Sequence, residues 1–537
     1  MKRPPKPADT DAPRGLRRSM AWIHTWLGLL AGWILFAMFL TGTASYFRPE
    51  ITRWMQPEIR PAPVAPAHAA QAAMTYLDGT AHGAEQWYIY LPDERTDATR
   101  VFVREKPEPT GMKRARPQRS ELKLDPATGQ PLAARDTLGG EHFYRFHFQL
   151  QLPHPWGRWL AGLCAIFMLA AIISGVITHK RIFADFFTLR WGKGQRSWLD
   201  AHNVSAVLAL PFHAMITYTG LITLVAMYMP WPIMANYASP QAFQTEAFGR
   251  EPDEEASGRP ARLAAIAPMI AQAQREWHGG EPRTIVVRNP NDSTATVTIL
   301  RTDDDQLNGR SGTLTFSGTT GRRLAGSPSP GPALTTAGVM LGLHMGHFAG
   351  PLLRWCYFAL GLIGAAMVGT GLLLWTAKRR KAAPFAGFGL VERLNIAAIA
   401  CLPAGMAALL LANRLIPATM DGRAEMEVAA MFWTWFGLAA LSLLRPVRRA
   451  WAETLAFSAL AFGALPFVNA MTTDRSFLHS IASGDWLFAA FDAAMLALAG
   501  MFACAAAKAH RLLNREGPAR RRQRAESTEM ERAADAA

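Results

Sequence analysis

From Trp22 to Tyr46 the chain reads WIHTWLGLLAGWILFAMFLTGTASY. The run has no charged side chain and is long enough to cross a hydrocarbon core as an α-helix, which takes about 20 residues. It is apolar on every face, unlike the half-polar helix of a soluble domain. No small-residue cleavage site follows it, and it is too long for a signal peptide, so it is expected to remain as an anchor. Similar runs recur along the 537 residues, of which 50% are hydrophobic and 18% charged. A soluble chain of this length needs far more surface charge. A soluble cytosolic enzyme and a disordered protein are both excluded. The net charge of +15 points at first to nucleic acid. Its basic residues, however, cluster beside the apolar runs, as in cytoplasmic loops, so no nucleic-acid partner is expected. Four cysteines exclude a disulfide scaffold.

The sequence predicts a mainly α polytopic membrane protein with about eight spans: residues 22–46, 156–178, 204–228 and 353–375, then four more within 394–507. The last four lie near Leu394–Ala412, Val428–Leu444, Trp451–Ala470 and Trp486–Ala507. Lys and Arg fall in alternate connections. They lie in the amino-terminal segment 1–21 (Lys2, Arg3, Lys6, Arg14, Arg17, Arg18), in 179–203 (Lys180, Arg181, Arg190, Lys193, Arg196) and in 376–393 (Lys378 to Lys381). Arg445, Arg448 and Arg449 and the basic tail 508–537 complete the pattern. Both termini are therefore expected in the cytoplasm. Two long connections, 47–155 and 229–352, are expected outside, in the periplasm of a bacterial inner membrane. Each carries an Ala-rich helical stretch (Ala65–Leu77; Ala261–Trp277) followed by short alternating strands. The strands are Trp87–Leu91, Val101–Arg104 and Glu121–Leu124 in the first, and Thr284–Val287, Ala295–Leu300 and Thr313–Phe316 in the second. The expectation is two small α+β domains.

The first four spans read as a twofold repeat. The interval from His24 to Thr41-Gly42 equals that from His202 to Thr219-Gly220. His147 precedes Ser174-Gly175 by nearly the same distance as His344 precedes Thr370-Gly371. Asp125-Pro-Ala-Thr-Gly129 corresponds to Ser317-Gly-Thr-Thr-Gly321, in each case a strand running into a turn that ends on Gly. Each unit holds two spans, so the repeat is parallel, which weakens the reading as a transporter built from inverted repeats. The four Ser/Thr-Gly pairs fit close helix packing or room for a porphyrin face equally well.

Nine of the fourteen histidines lie in or beside the first four spans. An imidazole beside hydrocarbon is costly unless paired or coordinated. Two from separate helices can fill both axial positions of a haem iron. His24 with His202 is the expected inner pair, and His147 with His344 the expected outer pair. Competing assignments use His213, about 16 Å further along the same helical face as His202, for a second haem near mid-membrane, or His179 in place of an inner ligand. His154 and His347 are fallback outer ligands. No HExxH or CxxCH occurs, which disfavours a zinc hydrolase and covalent haem and leaves haem b, two per chain. No GxGxxG follows a strand. Electrons would come from a cytoplasmic protein or a membrane quinol.

These residues resemble the PepSY-associated transmembrane proteins, often called iron-regulated membrane proteins. The resemblance rests on His24-Thr-Trp-Leu-Gly, Leu-Asp125-Pro-Ala-Thr-Gly129 and Phe143-Tyr-Arg-Phe-His147. It extends to Ser174-Gly-Val-Ile-Thr-His179-Lys-Arg-Ile-Phe, Trp198-Leu-Asp-Ala-His202-Asn, Pro211-Phe-His213 and Leu343-His344-Met-Gly. It covers about residues 20–380. It implies outer PepSY-like domains and, in one branch, di-haem ferric-siderophore reductases that release iron as Fe(II). Members usually have four such helices; the four extra ones here depart from that. Two other classes stay open: a haem-free regulator of a periplasmic protease, and a siderophore or metal transporter.

Overall fold

The computed structural model describes residues 15–60, 62–106, 121–179, 189–248, 255–310, 312–327, 331–380 and 385–535. Lys2, Arg3, Lys6, Arg14, Lys180, Arg181 and Lys381 lie outside the described residues.

The quoted run forms α1 (Leu16–Ser45), followed by α2 (Arg48–Met55) and α3 (Pro66–Thr80). Strands β1 (Ala84–Tyr90), β2 (Thr99–Glu105) and β3 (Glu121–Leu124) come next. Helix α4 (Gly140–Gln149) leads into the second span, α5 (Trp156–Thr178). The expected third span is not one helix. It is α6 (Gln195–Leu208) and α7 (Leu210–Thr223), bent by 68° at the junction. Pro211 sits in the first turn of α7 and has no N–H to carry the ladder back into α6. The straight-helix placement of His213 relative to His202 is therefore wrong.

Short helices α8 (Val225–Tyr228), α9 (Trp231–Asn236) and α10 (Pro240–Phe248) open the second long connection. It continues with α11 (Ile266–Glu276), β4 (Pro282–Arg288), β5 (Thr296–Arg301), β6 (Thr313–Ser317) and β7 (Arg323–Gly326). Helix α12 (Pro332–Met345) leads into α13 (Pro351–Arg379). The last four spans are α14–α15 (Phe388–Leu415, through a π-turn at Ala397–Cys401), α16 (Arg423–Leu444), α17 (Val447–Thr472) and, after the short α18 (Phe477–Ser483), the start of α19 (Trp486–Asp535). Among the described residues, seven helices are long and apolar enough to cross a membrane, eight with the bent pair counted as one span.

The two expected α+β domains are not separate. Their strands form one antiparallel sheet in the order β3-β2-β1-β4-β5-β6-β7. The seam pairs Trp87 with Val287 and Ile89 with Ile285. All four of these side chains are fully buried. Each half alone would leave a strand edge open, β1 in one and β4 in the other. Joining at β1–β4 pairs the two exposed edges and lets α3 and α11 cover one face together. Ala69, Ala73 and Leu77 of α3 and Ile266, Ile270 and Ala273 of α11 close that core. Fully burying a large apolar side chain there contributes roughly 1.5–3 kcal/mol. The matching turns are as expected: Gly129 and Gly321 both have φ of 71°, and their N–H groups donate to the carbonyls of Asp125 and Ser317.

The sheet and both termini of the first span place the chain's polar connections at opposite ends of the helices. Arg17, Arg190, Arg196, Arg379 and Arg449 lie at the end away from the sheet.

Candidate functional site: two opposed imidazole pairs

His24 is carried by α1 and His202 by α6, and their ring centroids are 6.1 Å apart with planes at 61°. His147 is carried by α4 and His344 by α12, with centroids 6.2 Å apart and planes at 34°. Both preferred pairings of the sequence are thus brought together in space. The first pair lies away from the sheet (sheet-distal), the second towards it (sheet-proximal).

All four rings sit in the same kind of socket. Nδ1 of His24 donates to the Ala171 carbonyl at 2.8 Å, and Nδ1 of His202 to Met367 at 2.8 Å. Nδ1 of His147 donates to Met38 at 2.7 Å, and Nδ1 of His344 to Ile216 at 3.0 Å. Each carbonyl lies one helical turn before one of the repeated glycines: Gly175, Gly371, Gly42 and Gly220 respectively. A Cβ at Gly42 would lie 2.5 Å from the His147 ring and one at Gly220 2.8 Å from His344. At Gly175 and Gly371 the distance to His24 and His202 is 3.1 Å. The glycines therefore make room for imidazoles; neither plain helix packing nor a porphyrin face is what they meet. The residue before each glycine carries a short hydroxyl, and that of Thr219 lies 3.2 Å from Nδ1 of His344. Thr41, Ser174, Thr219 and Thr370 turn their hydroxyls back to carbonyls of their own helices at 2.6–2.7 Å.

With Nδ1–H committed to a carbonyl, the lone pair of each ring is on Nε2, the tautomer a metal requires. Two imidazoles bound trans to one metal, each at about 2 Å, have centroids about 6 Å apart. Both pairs match that spacing. Neutral nitrogen donors from opposite sides, held in apolar surroundings, suit the axial positions of haem iron. His24, His202, His147 and His344 would hold such groups.

Each pair lines a cavity. The sheet-distal cavity, of about 320 Å³, is bounded also by His179, His213 and Lys378. The sheet-proximal cavity, of about 470 Å³, is bounded also by Tyr144, Arg158 and His347. Leu35 and Met168 line both.

The remaining expected ligands are not brought into a pair. His213 is fully buried, but the rings beside it are Phe39 and Phe212, and neither of its nitrogens has a hydrogen-bond partner. His179 receives the Asn203 side-chain amide at 3.1 Å and does not replace His24 or His202. His154 is exposed and lines neither cavity. His347 lines the sheet-proximal cavity but is bonded to Asp303 at 2.6 Å. The socket carbonyls and the Asp303 partner were not visible in the sequence. The Ser/Thr-Gly pairs, one helical turn beyond each carbonyl, were the signal that pointed to the sockets.

Residues 21–378 match the family model of the PepSY-associated TM region. The chain is also 28% identical over 317 residues to the uncharacterized protein PA4219 of Pseudomonas aeruginosa, covering 53% of this chain and 76% of that one. The family match takes in both imidazole pairs, their four sockets and the whole seven-stranded sheet, and the chain belongs to the PepSY-associated transmembrane family.

Proposed function

We propose that this membrane protein carries two haems b and passes electrons across a bacterial inner membrane to a ferric chelate, such as a ferric siderophore, on the sheet side. The observation that carries the reading is the pair of opposed imidazoles at metal-spanning distance, each ring fixed by a carbonyl and a glycine. When bound, haem would supply one-electron transfer between ferric and ferrous iron. The chain's own part is to hold and orient. The carbonyls of Ala171, Met367, Met38 and Ile216 fix the tautomers and raise the basicity of Nε2. Leu35 and Met168 are common to both cavities and set apolar side chains between the pairs. His24 with His202 and His147 with His344 would hold the two groups, which would supply electron transfer to an acceptor that need not bind their iron. Hard oxygen donors hold Fe(III) better than Fe(II), so reduction loosens the chelate. The basic helix ends opposite the sheet support a cytoplasmic location for both termini and a periplasmic one for the sheet. The electron donor is a cytoplasmic protein or a membrane quinol.

The test is a reduced-minus-oxidised spectrum of protein purified from haem-replete cells. The expected result is a low-spin haem signal equivalent to two haems per chain. Replacing His24 and His202 by Ala removes one, and replacing His147 and His344 removes the other. A preparation with no haem signal overturns the reading.

A further inference from the structure

One histidine outside the two pairs is held in an ordered polar arrangement on a cavity wall. His347 follows His344 past Gly346, whose φ of 65° turns the chain out of α12. Its Nδ1 lies 2.6 Å from Oδ2 of Asp303. Asp303 is held in turn by Nη1 of Arg283 at 2.5 Å, and the same nitrogen reaches Asp304 at 3.2 Å. Arg283 belongs to β4, so the sheet helps to fix a residue on the wall of the cavity. His347 and Asp303 are only 21% and 14% exposed.

Among the described residues, Asp303, Asp304 and His347 alone gather three metal-ligating groups within 4.8 Å. The Arg283 guanidinium already lies against both carboxylates, which removes the need for a cation there. What remains is an imidazole oriented by a carboxylate, with Nε2 uncommitted. Burial pulls the Asp303 carboxyl upward, but the hydrogen bond and charge of His347 and the charge of Arg283 outweigh it and keep it below the usual range. The charged groups facing this corner are Arg48 and Glu50 of α2, Asp93 and Arg95 after β1, Arg354 of α13, and Arg283, Asp303 and Asp304. Arg95, Arg283 and His347 line the cavity, whereas Glu50, Asp303 and Asp304 stand behind them as their partners.

We propose that His347 is a catalytic general acid that protonates a donor oxygen of the ferric chelate as its iron is reduced. The inference rests on the function proposed above. Reduction alone leaves an anionic oxygen that still competes for iron. In the balanced step the chelated Fe(III) gains one electron delivered through the chain. An Fe–O bond breaks with its electron pair left on oxygen, and that oxygen takes the proton from Nε2 of His347. The chelate's remaining donors, held weakly by Fe(II), take their protons from solvent as they let go, and the neutral imidazole regains its own proton from solvent. Asp303, bonded to Nδ1, orients the ring so that Nε2 is the nitrogen that gives up the proton, as the carboxylate does in a Ser-His-Asp triad. Such acid catalysis contributes about 10²–10⁴-fold.

The experiment mixes pre-reduced protein with a ferric trihydroxamate and follows two signals, haem reoxidation and Fe(II) captured by a chromogenic chelator. In His347→Gln, haem reoxidation stays within about twofold while Fe(II) release slows about 100-fold and no longer speeds up with acid. Asp303→Asn, which keeps the imidazole, slows release in the same direction, with an unchanged haem spectrum as the check on folding. In haem-free protein, diethyl pyrocarbonate modifies Nε2 of His347, and a saturating redox-inert gallium trihydroxamate protects it. Equal Fe(II) release by parent and His347→Gln overturns the proposal, as does modification unaffected by the gallium chelate. Haem that is present but not reoxidised by the chelate sinks the proposed function instead, and this step with it.

Discussion

At the scale of single residues, what lies behind each paired histidine decides which of its nitrogens is left free to bind a metal. An unsupported imidazole presents either nitrogen. A carbonyl one turn below a glycine selects Nδ1–H and leaves Nε2 for the metal. The glycine is required because any Cβ would lie inside the ring's contact distance, and the four positions differ in how tightly. At Gly42 and Gly220 the clearance is 2.5 and 2.8 Å; at Gly175 and Gly371 it is 3.1 Å. Gly42→Ala and Gly220→Ala are therefore expected to lose most of the sheet-proximal haem with every histidine in place. Gly175→Ala and Gly371→Ala should retain more than half of the sheet-distal one. Haem-to-protein ratios from pyridine haemochrome spectra measure this, and equal losses at all four sites would contradict the socket account.

At the scale of elements, the same turn is used twice under different constraints. Gly129 and Gly321 share a left-handed backbone that costs an L-residue about 1–2 kcal/mol. A Cβ at Gly129 would in addition lie 2.5 Å from the Ala72 carbonyl oxygen of α3, whereas at Gly321 the nearest atom is 3.5 Å away on flexible Met269. Gly129→Ala should lower the melting temperature of the purified protein clearly more than Gly321→Ala, by thermal fluorescence scanning. The difference arises because α3 packs closer to its turn than α11 does. The bend between α6 and α7 is a second lesson at this scale. Hydropathy reads Val204–Tyr228 as one span, because a proline in the first turn of a helix leaves no mark on apolar content.

At the scale of the whole molecule, the last four spans pack against one part of the first four. Their core takes in Ile51, Trp54 and Met55 of α2 and Phe143 and Phe146 of α4, the helix that carries His147. Polar contacts reinforce this attachment. Arg414 donates to Asn469 and to the Trp54 carbonyl, Arg135 donates to the Asn413 carbonyl, and Arg423 donates to the Asp136 carbonyl. Arg423 also pairs with Glu427 at 2.8 Å, with both side chains essentially unexposed. Removing one partner of such a pair costs about 3–5 kcal/mol, because the other charge is left buried alone. Arg423→Met should therefore destabilise more than Arg423→Met with Glu427→Leu. In detergent melts followed at the haem band, Arg423→Met should lose the sheet-proximal haem before the sheet-distal one. Simultaneous loss of both would show that the added helices do not act through α4.

The sequence alone determined the membrane class, the approximate spans and six of the seven strands, and it made His24 with His202 and His147 with His344 its preferred pairs while leaving His213 and His179 as alternatives. These follow from local composition and from the spacing of repeated motifs, which a chain carries whatever its neighbours are. Only the tertiary structure decided that the strands of both long connections join at β1–β4, since either half could have stood alone by its alternating pattern. It also decided what the repeated glycines are for. Their role depends on an imidazole arriving from another helix, and no local pattern encodes which atom fills the space of a missing side chain. His347 was assigned by the sequence to a fallback ligand set. Its bond to Asp303, from a loop of the sheet domain, depends on how the sheet is seated over the helices.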